Sequence, residues 1–401
     1  MEKLIEVFRK KIALTNLDFV RNIESQINWS ARLICLRGSR GTGKTTLFLQ
    51  HIKKTFGDNL SKVIYVSLDN LYFSDNSLVD FVDSFVKNGG QFLFLDEVHK
   101  YPDWSRAIKN IYDDSPLYPE LHVAFSGSSL LEILNARSDL SRRALVYELQ
   151  GLSFREYLSL TAKKDFPILS LEQILEDNEK LSEQIASQIK PFEFFEGYLK
   201  YGYYPYFLEG IDNYYSRLAE TVNMILEVEL PLLRKIDVSY IVKIKKLLST
   251  IGKSAPFIPN TTELASHIQI ARQTLLQYFE YLEESKLIYQ VFKETRGLGT
   301  LEKPDKIFLE NTNLMFLLGK EDTNIGNIRE TFAFNQLSYN HEVLFSEQSD
   351  FFVDKKYTFE VGEKNKKRKQ IKDIPDSYIL ADDIEFGTDK RIPLWLLGFM
   401  Y

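Results

Sequence analysis

Gly38-Ser39-Arg40-Gly41-Thr42-Gly43-Lys44-Thr45 fits the pattern G-x-x-x-x-G-K-[ST], and its meaning depends on what flanks it. Upstream, Arg32-Leu-Ile-Cys-Leu-Arg37 is a short apolar run that predicts a strand; downstream, Thr46-Leu-Phe-Leu-Gln-His-Ile begins a helical pattern. A strand that turns through glycines into a helix aims successive backbone N–H groups at one point, and the helix N-terminus adds positive potential there. Such a loop cradles phosphates. Its candidate binding residues are Gly38, Gly41, Thr42, Gly43, Lys44, Thr45 and Thr46. Lys44 is placed to reach β- and γ-phosphates, and the Thr45 hydroxyl to ligate Mg²⁺.

Working outward, further runs at Val63–Leu68, Phe92–Leu95, Leu121–Phe125 and Leu145–Leu149 are separated by stretches long enough for helices. Strands alternating with helices predict an α/β fold with a parallel sheet between helices. In Phe92-Leu-Phe-Leu-Asp96-Glu97 four apolar residues precede two acids. Asp96 then emerges at the carboxyl end of a buried strand, where open sheets bind ligands, and can hold the metal shell. Glu97 points to the other side and is the candidate general base for water. The next run ends in Ser126-Gly-Ser-Ser129, so the Ser126 hydroxyl is placed either to bond a γ-phosphate or lytic water or simply to cap a turn. Arg142 and Arg143 precede the fifth run. Either is a candidate γ-phosphate cation, in its own chain or a neighbour's, or a solvated surface charge. His99 reads as a loop histidine and Trp104 as core.

At about 150 residues per domain, 401 residues suggest two or three domains. With 44% hydrophobic and 26% charged residues, 29 Phe and 22 Tyr, a disordered or collagen-like chain is excluded. A net charge of −6 argues against a chain coated in nucleic acid, while leaving room for a local basic patch. Cys35 is the single cysteine, so no intrachain disulfide and no cysteine-based metal site forms. No run approaches the ~18 apolar residues that span a bilayer, and the N-terminus lacks a signal-peptide core. A cytoplasmic protein without a membrane partner is expected. A leading helical segment is predicted over residues 4–27, and the apolar tail Ile392–Tyr401 reads as a buried final element.

Residues 1–150 thus read as one domain. A helical stretch over 151–240 follows, with the knot Tyr201-Gly-Tyr-Tyr-Pro-Tyr-Phe207 read as a packed turn. Over 241–300, Thr262–Ile268 and Arg272–Glu283 form helix, turn, helix, and Lys286–Phe292 reads as a wing strand. If this winged helix reads DNA, Arg272, Gln273, Thr274 and Gln277 would face the major groove, although Glu280, Glu283 and Glu284 on the same helix would repel a phosphate backbone. Docking a protein partner is the other reading. Short alternating runs over 301–401 (Lys306–Leu309, Val343–Phe345, Phe351–Val353, Tyr357–Val361, Ser377–Leu380) predict a smaller α/β domain.

In that order GSRGTGKTT, FLDEVHKYPDW, FSGSS, LSRRALVYELQGLSFREYL and YGYYP resemble one family. It comprises bacterial and archaeal AAA-type P-loop ATPases with a central winged helix and a restriction-endonuclease-like C-terminal domain of unknown function. The resemblance implies ATP binding and hydrolysis with Mg²⁺. It also implies a nuclease-type signature of Asp followed by E-x-K, onto which Asp350 and Glu360 fall as Mg²⁺-holding carboxylates. Gly362 stands where the lysine belongs, with Lys364 or Lys366 as substitutes from the loop, so a degenerate scaffold is expected. The basic run over 364–372 is either a DNA-phosphate patch or a solvated loop. Three functions follow as expectations: an ATPase acting on DNA or a partner, a slow nucleotide switch, and an ATP-regulated nuclease. Oligomeric state is left open.

Overall fold

A computed structural model describes residues 1–114, 118–127, 140, 142–234, 236–293, 301–319 and 323–401. The chain divides into two compact units, Met1–Gln150 and Gly151–Tyr401.

The first unit is built on strands β1 (Leu33–Arg37), β2 (Val63–Ser67), β3 (Phe92–Asp96), β4 (His122–Ser126) and β5 (Leu145–Glu148). They lie in the order β2-β3-β4-β1-β5, every pairing parallel. The three inner runs, β3, β4 and β1, are mostly aliphatic and aromatic because a parallel sheet covered by helices is buried on both faces. β5 ends the row, and Leu145 and Val146 on it are exposed. Helices α1 (Glu2–Leu14) and α2 (Lys44–Phe56) bury Leu4, Phe8 and Ile12, and Leu47, Phe48 and Ile52. Each set recurs at the 3.6-residue period. The leading helix is shorter than the expected 4–27. It stops at Leu14, and the Asn16 side chain accepts from Asp18 N at 2.6 Å, closing a turn that competes with further helix. The Ser128–Ser129 end of the fourth run's turn lies outside the described residues.

In the second unit the stretches 151–240, 241–300 and 301–401 belong to one body. Helices Phe154–Thr161 and Leu171–Ala186 both open on capping boxes, Ser153 with Glu156 and Ser170 with Gln173. Helices Thr261–Ile268 and Arg272–Glu284 meet at Gln269, whose φ of 59° turns the chain. They lead into an antiparallel pair, β6 (Ile288–Val291) with β7 (Lys306–Leu309). A mixed sheet, β12-β11-β10-β9-β8, closes the unit: β8 (Val343–Leu344), β9 (Phe351–Val353), β10 (Tyr357–Gly362), β11 (Ser377–Ala381) and β12 (Arg391–Pro393). Phe154, Phe332, Phe359 and Trp395 fill its core, and the tail from Ile392 to Tyr401 is buried as expected.

The tyrosine knot is held from below by a polar turn. Asn313 Oδ1 accepts from Tyr203 N at 2.9 Å and from the Tyr214 hydroxyl, Glu310 accepts the Tyr203 hydroxyl, and Asn311 donates to Tyr204 at 3.1 Å. All are buried, so the knot is structural. No helix among the described residues is long and apolar enough to cross a membrane.

Candidate functional site

The phosphate loop leaves β1 at Gly38 and enters α2 at Lys44. A Cβ at Gly38 would stand 2.2 Å from the Leu149 carbonyl oxygen, so only glycine lets the loop start this close to its neighbour. Gly43 caps α2 at φ 97°, a left-handed conformation that glycine adopts without a side-chain clash. The buried Lys44 ammonium donates to the carbonyls of Gly38 and Ser39, at 2.8 Å each, and the Thr42 hydroxyl donates to Ser39 O at 2.9 Å. From outside the motif, Arg21 donates to Thr42 O at 3.0 Å and to Gln150 O at 2.9 Å. These bonds set the curvature of the loop through its carbonyls. Thr46 is exposed on the first turn of α2.

Asp96 ends β3 and is 2% exposed. Four donors converge on it. Oδ2 accepts from the Thr45 hydroxyl at 2.5 Å and the Tyr65 hydroxyl at 2.7 Å; Oδ1 accepts from Ser126 Oγ and from Glu97 N at 3.1 Å. Ser126 therefore bonds the carboxylate, where the sequence had suggested a phosphate, a water or a turn cap. Tyr65 was not singled out by sequence reasoning. Burial first, and then the Asp96 charge, push its phenol far above the ordinary tyrosine range, so it stays a neutral donor. A carboxylate with a hydroxyl at contact distance is a hard oxygen set that fits Mg²⁺, which takes one or two protein oxygens and completes its shell with phosphate and water. Thr45 and Asp96 are the residues that would hold it.

Glu97 follows in a left-handed turn at φ 52°, unusual for a side chain with Cβ, which turns it out of line with the strand before it. His99 Nε2 stands 3.4 Å from Glu97 Oε2 and is buried, so it packs against Glu97 and is no exposed loop histidine. Trp104 is core.

The expectation for Arg143 within its own chain is corrected. β5 runs parallel to β1 with Leu145 opposite Ile34, so the residues before Leu145 lie at the amino edge of the sheet, away from Asp96 and the loop. There Arg143 grips Asp113 with Nε at 2.9 Å and a terminal nitrogen at 3.0 Å, and Arg32, at the start of β1, bonds the adjacent Tyr112 carbonyl.

In the second unit Arg272, Gln273 and Gln277 are exposed on the helix Arg272–Glu284, and Thr274 is half-buried. Arg272 bonds Thr261 and Gln277 bonds Tyr281. Glu280 and Glu283 accept from Gln290 on β6 at 2.9 Å, and Glu284 pairs with Arg234. The acidic residues expected to repel a phosphate backbone are thus engaged within the fold.

Asp350 and Glu360 lie beside each other as their strands predict, joined by Glu330 of the helix Ile325–Leu337. Lysines occupy the two glutamates. Lys366 reaches Glu360 at 2.6 Å and Lys306 reaches Glu330 at 2.5 Å, while Asp350 Oδ2 accepts from Val361 N at 2.7 Å. Gly362 explains the route: a Cβ there would stand 2.7–2.8 Å from Lys366 Cβ, Cγ and Cδ, so the lysine stem crosses the space a side chain would fill. Lys364 is exposed, its carbonyl held by Arg391. Burial pushes the Glu330 and Glu360 carboxyls up against the pull of their lysines. Burial also opposes the charge of Lys366, and Glu360 outweighs it, holding the ammonium above its ordinary value. Among the described residues no group of three or more His, Cys, Asp or Glu is placed to hold a metal ion. Glu360 is thus paired with Lys366, and Asp350 with the Val361 amide. Of the basic run, Lys366 and Arg368 are tied down, Arg368 to Ser377, and Lys364, Lys367, Lys369 and Lys372 are exposed.

The sequence model of a family described as an AAA domain matches residues 30–158, and that of a domain of unknown function matches residues 192–323. An uncharacterised protein of Methanocaldococcus jannaschii is 29% identical over 280 residues, covering 66% of this chain and 58% of that protein, so this chain spans less than two thirds of its relative. Among solved structures, the Walker-type ATPase of Pyrococcus abyssi aligns over 75% of this chain and 95% of its own, with TM-score 0.42 and 13% identity. The Orc1 protein of Aeropyrum pernix, solved in complex with DNA, aligns over 79% and 92%, with TM-score 0.30 and 13% identity. The fold of the first unit is that of an AAA-type P-loop ATPase.

Proposed function

We propose that the first unit binds Mg-ATP and hydrolyses it to ADP and phosphate, and that this turnover drives or gates the second unit. The observation that carries the reading is Thr45 at 2.5 Å from Asp96, one residue from a lysine buried in a glycine-rich loop. In this reading Lys44 trades its loop carbonyls for the β- and γ-phosphates, and the amides from Gly41 to Thr46 receive the β-phosphate. Thr45 and Asp96 orient the metal, which when bound neutralises charge on the phosphate oxygens. Glu97 takes the proton of the attacking water.

The test is steady-state phosphate release from Mg-ATP, with and without duplex DNA, against Glu97→Gln. Loss of a general base costs about 10²–10⁴ in rate. Turnover that survives in Glu97→Gln sinks the assignment of the base. Turnover near zero in the native chain with tight nucleotide retention supports a switch in place of a hydrolase.

The partner of the second unit is read as DNA or protein. Segment 241–300 is taken as a winged helix whose exposed Arg272, Gln273 and Gln277, with the exposed lysines of 364–372, suit a phosphate backbone. DNA stimulation that falls with salt and disappears in Arg272→Glu supports this; DNA-indifferent turnover favours a protein partner. The C-terminal sheet is read as a nuclease-like scaffold that does not cut, because lysines neutralise its carboxylates. Mg²⁺-dependent DNA cleavage lost in Glu360→Ala would overturn that.

A further inference from the structure

We infer that Tyr65 is a positioning residue that sets the metal affinity of the nucleotide site through Asp96; this rests on the Mg-ATP reading above. An ionised carboxylate offers about four acceptor positions, and on Asp96 all four are used. Thr45 is the donor that a metal ion would draw away. Ser126 and the Glu97 amide then hold Oδ1, and Tyr65 alone of the four remains on Oδ2, the oxygen shared with Thr45.

The strand register explains why a tyrosine stands there. β2 pairs Ser67 with Asp96 and Tyr65 with Phe94, so position 65 lies two residues short of the tip. A phenol is long enough to reach the carboxylate from that depth. It is also neutral. A lysine or arginine at the same point would cancel the charge on which a cation depends, whereas a hydroxyl fixes the carboxylate and leaves its charge intact. The ring is 3% exposed, with Lys11 Nζ 4.8 Å from its centroid, so the phenol has little freedom to leave.

The experiment is binding of a fluorescent methylanthraniloyl-ATP to the full chain, in EDTA and across rising MgCl₂, for the native protein, Tyr65→Phe and Val66→Ala. Val66 is a buried neighbour on the same strand whose side chain carries no polar atom to reach the Asp96 carboxylate, so its truncation loosens β2 and leaves the phenol in place. Tyr65→Phe is expected to bind nucleotide in EDTA as the native chain does, and to need about 10-fold or more MgCl₂ for half-saturation, the usual effect of removing a group that orients a metal ligand. Val66→Ala is expected to keep the native magnesium requirement. A magnesium requirement within about twofold of native in Tyr65→Phe, or an equal rise in Val66→Ala, overturns the role of Tyr65. If the native chain itself gains no affinity from magnesium, the Mg-ATP reading fails with it. Should Tyr65→Phe fold poorly, 3-fluorotyrosine at position 65 keeps the shape and alters the donor: a shifted magnesium requirement supports the role, and an unchanged one overturns it.

Discussion

Gly362→Ala adds a single methyl group at the end of β10. In an ordinary strand that exchange stabilises by about 0.5–1 kcal/mol, because glycine loses more freedom on folding. Here the sign should reverse. The new Cβ would meet Lys366 Cγ at 2.7 Å and its Cβ and Cδ at 2.8 Å, near the root of the side chain where little can give. Lys366 must then leave Glu360, which is 5% exposed. Breaking a fully buried pair costs about 3–5 kcal/mol and an exposed one about 0–1. With Lys366 keeping 35% of its side-chain surface in water, about 1–2 kcal/mol is the reasonable figure, a factor of roughly 5–30 in local opening. The assay is native-state hydrogen exchange of the β10 and β11 amides, which reads this sheet without assuming that both units unfold together. The deficit should shrink as pH falls from neutrality into the carboxylate range. Burial already holds the Glu360 carboxyl up, losing Lys366 raises it further, and once the carboxyl is protonated in both proteins the missing ammonium no longer matters. The same methyl added to Lys366→Met, whose apolar side chain makes no ion pair, should cost at least about 1 kcal/mol less. A cost below about 0.3 kcal/mol in the native background, or equal costs in both, refutes the reasoning.

Asn313→Ala should be among the most damaging changes in the second unit. It strands the Tyr203 amide and the Tyr214 hydroxyl in a fully buried site, at about 1–3 kcal/mol each; a fall of less than about 1 kcal/mol in urea-unfolding stability counts against the network. His51 is held below its ordinary value near 6.5 by burial, which outweighs its bond to Glu24. A depressed histidine contributes stability that is present above the unfolded value and lost as pH falls through the folded one, because the unfolded chain takes the proton first. The first unit should therefore melt at lower temperature as pH drops below about 6.5, and His51→Gln should flatten that slope; an unaltered slope would exclude His51 as its source. Arg143→Ala should leave nucleotide affinity of the isolated chain within about twofold, since the side chain is spent on Asp113 at the far edge of the sheet; a larger loss in dilute solution would contradict that placement.

The inner strands of the first sheet were legible because burial on both faces demands unbroken apolar runs, Lys44 and Thr45 because the glycine pattern between strand and helix marks them, and Asp96 and Glu97 because they follow such a run at a strand end. Ser126 was found for the same reason, yet its partner was not. Which oxygen a hydroxyl meets depends on the order of strands, and β4 lies between β1 and β3 although it follows both in sequence. Tyr65 was hidden by register: a phenol inside an aliphatic strand reads as core until its depth relative to Asp96 is known. Arg143 misled because adjacency to a strand does not say which end of it is near the site. In the second unit, Val-Gly at 361–362 showed that the expected lysine was missing, but only the path of the loop distinguishes Lys366 from Lys364. Glu330 gave no signal, since its helix is buried on several sides and carries no clear polar face.

Arg21 has a mechanical consequence. One planar guanidinium grips the Thr42 carbonyl in the phosphate loop and the Gln150 carbonyl at the last residue of the first unit, and Gly38 rests directly on the carbonyl of Leu149. Loop and exit peptide are thus geared together, and a rigid fork with fixed spacing transmits displacement in place of absorbing it. A shift of the Thr42 carbonyl is thereby passed to the Gln150 carbonyl within the first unit.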